Sequence, residues 1–115
     1  SQKIVDLDYL YETTDGDSEE IKNMVNIFIQ QTPNQLNLIR QALESGDFVE
    51  LKKQVHKLKP TFMYVGMDEQ FENAKKVESL ALEKGDEQAI AKIIENIENA
   101  ANRAISELKE ELKKL

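Results

Sequence analysis

Residues 48–66 read FVELKKQVHKLKPTFMYVG. Apolar residues stand at Phe48, Leu51, Val55, Leu58, Phe62 and Val65, alternating spacings of three and four. That is the period of one stripe on an α-helix, so the stretch is expected to form a helix with this stripe turned to a core. At about 100° per residue, the chain's sole histidine, His56, points about 130° from the centre of the stripe. It is expected to face solvent, with Lys52, Lys53, Lys57 and Lys59 all within four residues.

The same pattern extends outward in both directions. The first six residues carry little signal, and Leu7, Leu10 and Tyr11 then suggest a short helix over about Asp6 to Glu12. TTDGD at 13–17 supplies turn chemistry, and Asp17 or Ser18 can cap a second helix whose first turn holds Glu19 and Glu20. That helix carries Ile21, Met24, Val25, Ile27, Phe28 and Ile29. At Thr32-Pro33 either a new helix starts or the old one bends, and the segment runs to about Ser45. Gly46 ends it and Asp47 caps the helix of residues 48–66. Gly66 closes that helix, and Asp68 is expected to cap the next. Met67, Phe71, Ala74, Val77 and Ala81 form the inner stripe there. Gly85 ends it, and Asp86 opens and caps a last helix patterned by Ile90, Ile93, Ile94, Ile97, Ala101, Ala104, Ile105, Leu108 and Leu112.

No alternating strand pattern and no solenoid-length repeat occurs. Amphipathic helices joined by short connections must run antiparallel to their neighbours. The expected fold is all-α: an up-and-down antiparallel four-helix bundle with a short extra N-terminal helix, residues 1–115 forming one domain.

Composition narrows the function. The net charge of −7 argues against nucleic acid as a partner. The absence of cysteine removes disulfides and thiol catalysis, and one histidine excludes a His-rich metal site. Neither a membrane-length apolar run nor a signal-peptide pattern is present, so membrane insertion is not expected and a cytoplasmic location is. There is no glycine-rich nucleotide loop and no serine–histidine–acid order.

The outer side of the 48–66 helix holds the candidate site. Lys52, Lys53, Lys59 and Pro60 lie three or four residues from His56 and flank it on the helix surface. Their ammonium groups could meet the charge of a phosphoryl group carried on the imidazole. Val49 and Met63 share this face and, with Pro60, could form an apolar docking patch. The plain alternative is a scatter of ordinary exposed residues around an ordinary surface histidine. Pro60 deprives the His56 carbonyl of a hydrogen bond. Either the helix is bent there or it ends near Lys59 and restarts.

Residues 56–66, HKLKPTFMYVG, resemble the signature of histidine-containing phosphotransfer (HPt) domains through His56, Leu58, Lys59, Val65 and Gly66. The resemblance extends over most of the chain. It implies a phosphorelay intermediate that takes a phosphoryl group from a receiver-domain phosphoaspartate and passes it to another receiver. In that family His56 would be the phosphoacceptor, reacting through Nε2, and Lys59 would neutralise phosphoryl charge. An ungapped alignment places Glu78 where the family has a residue that orients the histidine through Nδ1. Pro60, Thr61 and Phe62 depart from the small residues usual in the signature. The implied partners are response-regulator receiver domains and a hybrid histidine kinase. No cofactor is expected on this chain; the Mg²⁺ of the transfer would belong to the receiver, and a monomer is expected. The rival readings are a non-phosphorylated helical module binding through the same surface, and the phosphoacceptor domain of a larger kinase.

Overall fold

The computed structural model describes residues 2–115; Ser1 lies outside the described residues. Five helices follow one another: α1 (Asp8–Thr13), α2 (Ser18–Ser45), α3 (Phe48–Tyr64), α4 (Asp68–Leu82) and α5 (Glu87–Leu112). Connections of two to four residues reverse the chain each time, so α2 to α5 form an antiparallel bundle. They close a ring in which α2 and α4 each pack against both α3 and α5, while α1 packs on α3.

The helix boundaries follow local chemistry. Asp17 accepts the N–H groups of Glu19 and Glu20, and Asp86 those of Gln88 and Ala89. Asp47 accepts from Glu50 N–H and fixes the start of α3. Gly46 takes φ +70° at the end of α2, where its N–H and that of Asp47 close the last turn onto Leu43 and Ala42.

Asp68 does not cap α4. Met67 holds that position without a side-chain bond; it is 2% exposed and its N–H reaches the Phe62 carbonyl. Burial of the methionine therefore docks the helix start, and Asp68 sits in the first turn, where the helix dipole favours an acid.

Both prolines are absorbed into helices. α2 runs unbroken through Thr32-Pro33, and α3 through Pro60 to Tyr64. Pro60 and His56 are both exposed, so the carbonyl that Pro60 leaves unpaired lies on the wet side of α3, where water can satisfy it.

The core is continuous along the bundle axis. Leu51, Val55, Leu58 and Phe62 of α3 are essentially fully buried, against residues such as Ile21, Val25, Val77, Ile90, Ile94 and Leu108. Tyr11 of α1 and Ile27 of α2 are 45% and 50% exposed. Each lies at the margin of an apolar arc that is wider than the surface its neighbours cover.

The patternless N-terminal residues form a strap. The N–H groups of Ile4 and Val5 donate to the Glu107 carboxylate of α5 at 2.8 and 3.1 Å. Asp6 N–H donates to the Val65 carbonyl at 2.8 Å. The strap thus joins the end of α5 to the α3–α4 turn, with Val5 and Leu7 buried beneath it. Gly66 lies under it with φ +71°, and a β-carbon there would come within 2.6 Å of the Asp6 carbonyl oxygen.

Candidate functional site

The site follows from the length of two helices and the turn between them. His56 stands ten residues before Gly66 and Glu78 twelve after it, so both rise to similar heights on antiparallel helices. The apolar stripe of α3 faces inward and leaves His56 outward, its side chain 68% exposed. Glu78 sits beside Val77 of the inner stripe of α4 and leans toward α3, its side chain 12% exposed.

Two hydrogen bonds join these helices through one carboxylate. Glu78 Oε2 lies 2.7 Å from His56 Nδ1. Glu78 Oε1 lies 2.7 Å from Lys59 Nζ. A carboxylate can only accept, so the His56 ring presents an Nδ1–H to it. Nε2 is then the ring nitrogen with the free lone pair.

Glu78's carboxyl is held below its usual range. Burial is the largest single influence and pulls the other way, but the hydrogen bonds and charges of Lys59 and His56 together outweigh it. The group is therefore ionised in neutral solution. It can fix the tautomer and balance positive charge that develops on the ring.

Lys59 is less free than a surface lysine. Its side chain is 19% exposed, and its ammonium lies 5.8 Å from the centre of the Phe71 ring as well as on Glu78. Lys52, Lys53 and Lys57 are exposed. With Val49, His56 and Leu82, the first three line one open depression.

Of the docking residues expected from sequence, Val49, Lys52 and Lys53 thus meet His56 in this depression. Pro60 and Met63 are exposed on the same side of α3 but do not line it. Leu82, 70% exposed at the end of α4, had not been expected there. A large apolar residue just before the Gly85 break and off the inner stripe was the available signal. Among the described residues no group of potential metal ligands is clustered, and no helix is long and apolar enough to cross a membrane.

The Hpt domain model matches residues 23–115. The chain belongs to the Hpt domain family. Its fold is similar to that of histidine-containing phosphotransfer protein B (HptB) from Pseudomonas aeruginosa PAO1, with a TM-score of 0.86 and 21% identity over 100% of this chain and 99% of that one. It is also similar to the HPT domain of the Hpt sensor hybrid histidine kinase from Shewanella, with a TM-score of 0.83 and 18% identity over 97% and 96% of the two chains. No curated protein matches the chain. As an Hpt domain it serves as a phosphotransfer intermediate of a phosphorelay, and Hpt domains of this kind work with receiver domains and hybrid kinases.

Proposed function

We propose that His56 is the residue that carries the phosphoryl group. The observation that bears most on this is the Glu78 Oε2 to His56 Nδ1 contact of 2.7 Å, on a ring whose remaining face is open to solvent. In the step proposed, the Nε2 lone pair attacks the phosphorus of a receiver's aspartyl phosphate. The N–P bond forms as the P–O bond to the aspartate breaks, and the carboxylate leaves with the bonding pair. The Nδ1 proton stays on the ring, shared with Glu78, which offsets the positive charge the ring gains. Transfer to a second receiver reverses these changes.

Lys59 neutralises phosphoryl charge in this reading, and Glu78 orients the ring. Lys52 and Lys53 give a basic rim to a chain of net charge −7, which suits the acidic pocket of a receiver. Val49, Pro60 and Met63 supply apolar docking surface around it. The chain contributes no metal; Mg²⁺ comes with the receiver. Phosphoryl transfer needs mainly positioning and charge neutralisation, which a rigid bundle provides. The unit so formed acts as one domain, as a monomer and in the cytoplasm.

The test is incubation with a panel of phosphorylated receiver domains and Mg²⁺. Wild type is expected to gain an acid-labile, alkali-stable phosphoryl group, and His56→Gln none. Equal labelling of the two proteins would refute the assignment.

A further inference from the structure

Phe71 is half-buried on α4, seven residues before Glu78. Seven residues are nearly two full turns, so both side chains leave the same side of α4, the side turned to α3. Lys59 reaches across from α3 toward both: its ammonium is 2.7 Å from Glu78 Oε1 and 5.8 Å from the Phe71 ring centre. The Lys75 ammonium lies 5.7 Å from the same ring. An ammonium within about 6 Å of an aromatic face is drawn to its negative quadrupole, more strongly when water is excluded. The Lys59 side chain is 19% exposed and the Lys75 side chain 52%, so the Lys59 contact is the stronger of the two.

We infer that Phe71 is a positioning residue for Lys59. Its ring holds the Lys59 ammonium between α3 and α4, one helical turn from His56, where it can meet a phosphoryl group. This rests on the role proposed for His56. The counting of donors supports it. An ammonium has three N–H donors. Glu78 takes one, and the ring attracts the ammonium as a whole without offering a competing oxygen. Donors are therefore left for a phosphoryl oxygen on His56. A second carboxylate in place of the ring would hold Lys59 more tightly but compete with the phosphoryl group for it. A leucine would fill the space and leave the four-carbon stem free to swing. The ring also brings the Lys75 ammonium to the same part of α4, adding positive potential while Glu72, 3.5 Å from Lys75, offsets part of it.

The test uses the full chain with phosphoramidate, a small phosphodonor, so that no partner protein is needed. In wild type, the Lys59 Cε protons are expected to resonate upfield through the ring current of Phe71. In Phe71→Leu they return to ordinary lysine positions, and labelling of His56 slows by roughly two- to fivefold, the lower end of the range for a cation–π contact. Phe71→Tyr restores both. Wild-type Lys59 resonances without an upfield shift would overturn the inference even if Phe71→Leu fails to fold. So would a folded Phe71→Leu that labels at the wild-type rate. If wild type takes no label at His56, the role of His56 is what fails; the ring-current shift still decides whether Phe71 holds Lys59.

Discussion

The Glu78 carboxylate of α4 accepts the Nδ1–H of His56 on α3 at 2.7 Å. Its other oxygen holds Lys59, so one acid fixes both the ring and the Lys59 ammonium. Glu78→Gln keeps one acceptor oxygen, which can serve the ring or the ammonium but not both. We expect Glu78→Gln to lose phosphotransfer rate severalfold and Glu78→Ala about tenfold, the range of a lost charge-assisted hydrogen bond. ¹⁵N NMR of the imidazole should show the Nδ1–H tautomer dominant in wild type and depleted in the alanine variant. An unchanged tautomer balance would remove Glu78 from this role.

Acid should weaken the link between α3 and α4. The folded-state pKa of Glu78 lies below the ordinary 4.5 because Lys59 and His56 outweigh the effect of burial. The stabilisation is therefore complete above that ordinary value and is lost as pH falls through the folded-state pKa. Urea unfolding from about pH 6 to about pH 3 should show wild type losing more stability than Glu78→Gln, which has no carboxyl to protonate there. Parallel curves would contradict this.

Gly66 and Gly46 both have positive φ, +71° and +70°, but different surroundings. At Gly46 an added β-carbon meets nothing within 4 Å, so Gly46→Ala should cost only about 1 kcal/mol of backbone strain. At Gly66 the β-carbon meets the Asp6 backbone as well, and Gly66→Ala should cost about 2–4 kcal/mol. Denaturant midpoints measure the difference, and equal losses would show that the strap does not press on the turn.

Glu107 holds the N-terminal strap through the N–H groups of Ile4 and Val5. Glu107→Ala should leave α2 to α5 folded, cost about 1–2 kcal/mol, and abolish hydrogen-exchange protection at those two amides. Persistent protection would mean that the burial of Val5 alone secures the strap.

The bundle was legible because its information is periodic. The stripes of α3 and α5, the Asp caps at 17, 47 and 86 and the glycine stops at 46 and 66 all agree with the helices observed. His56 could be placed on the outer face from spacing alone. Glu78 could not: its contact spans two helices and came from the family resemblance. The strap was hidden because its bonds join backbone N–H groups to an acid more than a hundred residues away, which no local pattern records. Pro33 and Pro60 read as candidate breaks because sequence does not tell whether the orphaned carbonyl is dry or wet. Phe71 was read only as part of an inner stripe; its half-buried edge and two lysine neighbours appear once α3 lies beside α4.

The central claim is that phosphoryl transfer passes through Nε2 of His56 with Nδ1 protonated against Glu78. The most direct measurement is ³¹P and ¹⁵N NMR of the phosphorylated, ¹⁵N-labelled protein. Phosphorus–nitrogen coupling is expected at Nε2 of His56, with a proton retained on Nδ1. Phosphorus on Nδ1, or on any residue other than His56, would contradict it.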